Sequence, residues 1–227
     1  MQFELRRAKR QPRSCLVSRR DWINKTKKIR QQLADFYFAQ NLSRYNQNIP
    51  PIERMLSMLR LKATNAADAE QEFAAITALQ SENGFTNKNY GISRQEFLAK
   101  ALPAMLNAPQ GIDLPTGFVP ETDFFLWADD TIVGLFRVRH YLTPALRNGA
   151  GHIGYAILPA YRGHGYANTG LALTLREAAR IVPEEHIYLS VHKDNPASLA
   201  VQLKNGATIW HENDAEYFTR IKKSAIQ

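Results

Sequence analysis

Ile157-Leu158-Pro159-Ala160-Tyr161-Arg162-Gly163-His164-Gly165-Tyr166-Ala167 is the stretch whose reading decides the fold. An apolar strand pattern, His152 to Leu158, runs into a turn with two glycines. A helical pattern, Asn168 to Val182, follows at once. A strand that turns sharply into a helix aims several backbone N–H groups at one point, and the helix dipole adds positive potential there. Gly163 and Gly165 allow backbone to approach a ligand without a Cβ in the way, and small Ala167 lets loop and helix pack closely. The stretch lacks the Lys-Ser/Thr ending of a nucleoside-triphosphate loop and does not fit G-x-G-x-x-G. As chemistry alone it is either an anion cradle suited to a pyrophosphate or a plain glycine turn.

The flanking segments alternate in period. Upstream, Leu59 to Ala63 reads as a strand and Ala66 to Asn83 as a helix closed by Gly84. A second helix starts at Ser93, with Glu96 at capping-box spacing. A long loop from Ala108 to Pro120 holds three prolines and two glycines and suggests a lid. Strands Asp123–Ala128 and Thr131–Leu142 flank a turn at Asp129-Asp130. Downstream, His186–His192 reads as a strand, Ser198–Asn205 as a short helix, and 207–211 with 216–222 as a strand pair. The fold class is α/β, a mixed single domain.

Charge is unevenly placed. Residues 1–54 hold 13 Lys/Arg against 4 Asp/Glu, whereas residues 55–227 hold 16 against 17. The expected organisation is a basic N-terminal extension over 1–54, helical at 21–46, joined through Pro50-Pro51 to a domain over 55–227. Met55 and Met58 each offer a start for a shorter natural chain. Phosphate binding by Arg6-Arg7-Ala8-Lys9-Arg10 and Lys25-x-Lys27-Lys28 would make the chain a nucleic-acid-associated regulator. Few aromatics interleave these charges, and no helix-turn-helix pattern is evident.

Cys15 is the only cysteine, so no internal disulfide forms, and no Cys/His cluster has metal-ligand spacing; no metal is expected. No apolar run approaches the roughly 20 residues of a membrane span. The N-terminus also lacks the roughly 7–15-residue apolar core of a secretory signal, although its Arg-rich, acid-poor composition is shared with transit peptides. The expected location is cytoplasmic.

The run Arg162, Gly165, Ala167 resembles the R-x-x-G-x-A signature of the GNAT superfamily of N-acetyltransferases. The strand before it, ending at Pro159, fits the same pattern. So does Val191-His192-Lys193-Asp194-Asn195-Pro196-Ala197-Ser198, a strand and N-x-x-S turn leading into a helix that ends at Gly206. The architectural match covers about residues 58–222. Gly134…Arg137-x-Arg139-His140, the Leu142…Leu146 loop and Gly151-His152-Ile153-Gly154-Tyr155 also resemble a subgroup of uncharacterised predicted acetyltransferases.

The resemblance implies a central, mostly antiparallel mixed sheet flanked by helices, with a splayed strand pair. The strand at His152–Leu158 bulges and parts from the strand at His186–His192, and the pantetheine arm of acetyl-CoA lies between them. Ile157 and Leu158 would supply backbone contacts to the arm. Arg162, Gly163, His164, Gly165, Tyr166 and Ala167 would surround the pyrophosphate, and Asn195 and Ser198 would meet the arm. The implied reaction is acetyl transfer to a primary amine by direct attack, so Cys15 is not needed as a nucleophile. A small-molecule acceptor is favoured over a protein amine. The Leu158 backbone N–H would bind the oxyanion.

His152 is the leading candidate base, with His140 behind it. Tyr155 or Tyr166 could serve as acid, and Glu121 could meet a cationic substrate. Arg137 and Arg139, two apart on one strand, could form a structural ion pair or contact an acidic substrate. The chain departs from the family pattern in having Gln202 where many members place a tyrosine, and an amide is no acid. That leaves open an acyl-CoA-binding domain without catalysis. Oligomeric state is open too, a homodimer being one option.

Overall fold

The computed structural model describes residues 59–226, so the expected extension over 1–54 and its helix at 21–46 lie outside the described residues. Strand β1 (Leu59–Ala63) precedes helix α1 (Ala69–Ala78). Helix α2 (Arg94–Glu96) passes through a π-helical segment, Phe97–Ala101, into α3 (Leu102–Asn107). The hairpin β2 (Glu121–Ala128) and β3 (Thr131–Arg139) follows, then the short α4 (Pro144–Arg147) and β4 (Ile153–Ile157). Helix α5 (Tyr166–Ile181), β5 (His186–His192), α6 (Pro196–Lys204), β6 (Thr208–Glu212) and β7 (Glu216–Lys222) complete the order.

The strands make two antiparallel sheets, β1-β2-β3-β4 and β5-β7-β6. In β2, Phe124 and Leu126 face one core while Phe125 and Trp127 face the other. This two-sided burial explains the unbroken apolar run, since a strand covered on both faces has no polar alternation. On one face the first sheet packs against Leu171, Leu175 and Ala178 of α5. On the other it meets Ala75 and Ile76 of α1, Phe97, and Leu102 and Met105 of α3. A bulge shifts the phase of β3: Leu126 pairs with Gly134 and Trp127 with Ile132, leaving Val133 as the extra residue. Ile132 therefore shares a face with Leu135, and Val133 with Phe136. The expected bulge in the 152–158 strand is not where the irregularity lies; β4 pairs with β3 in unbroken register from Ile153↔Val138 to Ile157↔Gly134.

Among the described residues, one isolated bridge, Gly151↔Leu189, joins the two sheets. There the His152 N–H donates to the Tyr188 carbonyl at 2.7 Å, and the Tyr188 N–H donates back to His152 Nδ1 at 3.0 Å. Only glycine suits position 151. Its φ is +66, and a Cβ would stand 2.4 Å from the Tyr188 carbonyl oxygen. Beyond this pin β4 and β5 part.

The helix expected over Ala66–Asn83 ends at Ala78. The buried Asn87 amide donates to the Ile76 and Leu79 carbonyls at 2.6 and 2.7 Å, satisfying the helix end early. Asn83 and Gly84, both at positive φ, instead make a tight turn whose flanks Glu82 and Phe85 exchange backbone hydrogen bonds at 3.0 and 2.8 Å. The Ser93 start is observed: its side chain accepts from the Glu96 N–H. The third strand stops at Arg139, and Thr143 caps α4 through the Leu146 N–H.

Candidate functional site

The parting of β4 from β5 opens a cleft of about 670 Å³. Ile153–Ile157 line one wall and Ser190, Val191 and His192 the other. In the β3–β4 ladder the Leu158 N–H donates to the Val133 carbonyl at 3.0 Å, and the Arg139 N–H donates to the His152 carbonyl at 2.8 Å. Alternation along an antiparallel pair then turns the N–H groups of Ile153, Tyr155 and Ile157 away from β3, toward the parted side. The Leu158 amide is thus occupied, and the oxyanion role expected for it does not fit. The neighbouring N–H that faces the parted side is that of Ile157. Its carbonyl is already engaged by Arg162 Nε at 3.0 Å.

One mouth of the cleft lies at the glycine turn. Gly163 and Gly165 both have positive φ, at +82 and +80. Gly165 is the N-cap of α5 and provides no side-chain cap; the Asn168 N–H donates to the Gly165 carbonyl at 3.1 Å, which leaves the Tyr166 and Ala167 N–H groups to be satisfied by a ligand or solvent. A Cβ at Gly163 would meet nothing within 4 Å, so the surface over the turn is open. Asn205 donates to the Asn168 side-chain oxygen at 3.1 Å and to the Asn168 carbonyl at 3.3 Å, tying the end of α6 to the start of α5 beside this mouth.

The opposite mouth is built by the 82–86 turn. Phe85 lies over Gly154, and Gly84 packs on the His192 ring. Glu82 forms an ion pair with Arg162, latching this turn to the glycine turn across the cleft. His192 and Glu216 are a cross-strand pair on β5 and β7. Glu216 Oε1 stands 3.7 Å from His192 Nε2, and both line the cleft. His192 lies within the Val191–Ser198 motif but carries no expected role there, and Glu216 lies outside the motifs. The signal was the β5 alternation, which buries Ile187, Leu189 and Val191 and turns His192 to the other side.

Of the residues expected around the cofactor, Ile157, Arg162, Gly163, Gly165, Tyr166, Ala167, Asn195 and Ser198 line the cleft. Leu158 and His164 fall outside the lining. Asn195 Oδ1 accepts the Ser198 N–H at 3.1 Å, so its oxygen caps α6. His152, the expected base, is fully buried and also outside the lining. Burial pushes its imidazole well below the usual value, against the pull of Glu184, whose Oε2 is 3.3 Å from Nε2. A neutral ring accepting at Nδ1 from Tyr188 carries its proton on Nε2, facing Glu184. His152 is therefore a strut at the sheet junction.

His140 bonds Thr122 Oγ1 at 2.9 Å, away from the lining. Arg137 lines the cleft but is held by Asp123 at 2.8 and 3.2 Å and by Glu121 at 3.2 Å. Burial opposes its charge, yet the two carboxylates outweigh that and hold it protonated more firmly than usual. Arg139 donates to the Gly151 carbonyl at 3.0 Å. Both arginines thus have structural partners, and Glu121, the acid expected to meet a cationic substrate, is one of them. The 108–120 loop does not line the cleft; the 82–86 turn takes the covering position expected of it. Gln202 is buried and locked, its Nε2 donating to the Ser190 carbonyl at 3.2 Å and its Oε1 accepting from Thr219 at 2.7 Å.

A family model described as an acetyltransferase (GNAT) domain matches residues 58–208. A search of curated proteins finds no match. Among solved structures, a spermidine N-acetyltransferase from Vibrio cholerae, in complex with CoA and spermine, is 18% identical with a TM-score of 0.51. The alignment covers 75% of this chain and 98% of that one. A ribosomal L7/L12 alpha-N-protein acetyltransferase in complex with coenzyme A is 16% identical with a TM-score of 0.54, over 74% of this chain and 96% of its own. At these identities the likeness is one of fold.

Proposed function

The chain belongs to the GNAT acetyltransferase family, and from that premise we propose that it moves the acetyl group of acetyl-CoA to a primary amine of a small molecule. The observation that carries this reading is a cleft open between β4 and β5, with a glycine turn at one mouth and His192–Glu216 at the other. The pyrophosphate would sit on the amides of the turn at 162–167. The pantetheine arm would add as a strand in the gap, pairing with Ile153, Tyr155 and Ile157. The amine enters from the 82–86 side. Its nitrogen attacks the thioester carbonyl, His192 takes the ammonium proton, and the Ile157 N–H meets the oxyanion. Glu216 orients the imidazole. Narrow cover by the 82–86 turn supports a small acceptor over a protein terminus, although the fold neighbours include enzymes for spermidine and for a protein amine.

The test is thiol release from acetyl-CoA by the full chain with polyamines, amino acids, aminoglycosides and peptides. Turnover with a small amine is expected, and His192→Gln should lower kcat/KM by about 10²–10³-fold while leaving coenzyme A affinity unchanged. Turnover with peptides alone would replace the small-molecule reading. Tight coenzyme A binding with no turnover on any amine would make the domain non-catalytic. We also read 1–54 as dispensable to the chemistry; loss of turnover on its removal would contradict that.

A further inference from the structure

Tyr155 stands on the wall opposite His192, and acetyl transfer as described above uses only its backbone N–H. It projects from the middle of β4 toward α5 and α6, its ring stacked on Phe136 with centroids 5.4 Å apart. Its hydroxyl lies 2.7 Å from Ser198 Oγ and 3.3 Å from the Ser198 carbonyl. The side chain thus spans from β4 to the first turn of α6, across the strand gap on the glycine-turn side. On the acetyl-transfer reading, an arm threading from that turn into the gap would pass this hydroxyl, since Tyr155 and Ser198 both line the cleft. Burial raises the phenol above its ordinary value, so it stays protonated at neutral pH. Gln202, one helical turn beyond Ser198, has both ends of its amide engaged and no proton to yield.

We propose that Tyr155 is the proton donor to the departing coenzyme A thiolate. The inference rests on the acetyl-transfer reading above. When the tetrahedral adduct collapses, the C–S bond breaks and its electron pair stays on sulfur. The sulfur takes the Tyr155 hydroxyl proton as the amide carbonyl re-forms. The phenolate recovers a proton from solvent through the Ser198 hydroxyl, its resting partner. A thiolate leaving into a poorly solvated gap is a stronger base than one in water, because burial disfavours the anion. That raises the value of a donor fixed beside it.

Two variants of the full chain test this. Tyr155→Phe keeps the stack on Phe136 and removes only the hydroxyl. Its kcat with acetyl-CoA should fall by about 10²-fold, with the coenzyme A Kd within twofold of the parent. Replacing Tyr155 by 3,5-difluorotyrosine retains every contact and makes the phenol more acidic, so the basic limb of the kcat–pH profile should move to lower pH. Tyr161, Tyr166, Arg162, Lys204, Arg137, Arg139, His192, Glu216 and Glu82 share the cleft, and fluorination at 155 alone does not move their limbs. If Tyr155→Phe does not fold, the difluorotyrosine profile decides. An unmoved limb, unchanged kcat in Tyr155→Phe, or a Kd loss as large as the kcat loss overturns the proposal. A parent chain that releases no thiol with any amine defeats the acetyl-transfer reading itself, and this inference with it.

Discussion

Gly151→Ala should loosen the junction on which the cleft depends. At φ +66 an alanine costs about 1 kcal/mol in backbone strain. Its Cβ would also be placed 2.4 Å from the Tyr188 carbonyl oxygen and 2.7 Å from the carbonyl carbon. Those atoms are backbone, so relief comes only by moving β5 away. That breaks the 2.7 Å bond from the His152 N–H, about 1 kcal/mol, and frees Tyr188 N–H from His152 Nδ1. A buried imidazole left without that donor adds about 1–3 kcal/mol. The sum is on the order of 3–5 kcal/mol, or a Tm drop of roughly 10 °C for a chain of this size. Differential scanning calorimetry reads the drop, and coenzyme A titration should show weakened affinity, because the gap's width is set at this pin. Gly163→Ala is the control. It shares the positive φ but its Cβ meets nothing, so it should cost about 1 kcal/mol only. Equal Tm changes for the two variants, or an unchanged Gly151→Ala, would refute the reasoning.

Arg137→Gln leaves Asp123 and Glu121 buried without their cation and should destabilise the fold by about 3–5 kcal/mol, measured by denaturant unfolding. Glu72 should make stability pH-dependent in the opposite sense to a paired carboxylate. Burial raises it to about 7 in the fold from 4.5 when free, so the native state keeps a proton that the unfolded chain has lost between these values. Stability therefore falls as pH rises through that window. Glu72→Gln, which can still accept from the Asn65 N–H, should flatten the profile and stabilise by on the order of 1–3 kcal/mol at pH 8; an unchanged slope counts against it.

The strand–turn–helix at 152–182 was legible because its signals are local: glycine spacing and an apolar period that changes. Strands β1, β5 and β7 have the bounds that the residue pattern gives. What the sequence hid was set by partners distant along the chain. Asn87 ends α1 by capping it from nine residues beyond the helix, so an Ala- and Glu-rich pattern looked longer than it is. Asn83-Gly84 was a visible tight-turn pair, but beside a helical pattern it read as a terminator. His152 looked like a base because it sits on the cofactor-side strand; its burial follows from Gly151 drawing β5 against it. His192 gained its place only once β7 set Glu216 across from it.

The central claim is that parted strands take in the arm of coenzyme A while the glycine turn holds its pyrophosphate. Amide hydrogen exchange of the full chain, with and without coenzyme A, tests it most directly. The account predicts slowed exchange at Ile153, Tyr155 and Ile157 and at the amides of 163–167, with Leu158 already protected by Val133 in the free protein. Binding without protection at either place, or protection confined to other segments, would contradict it.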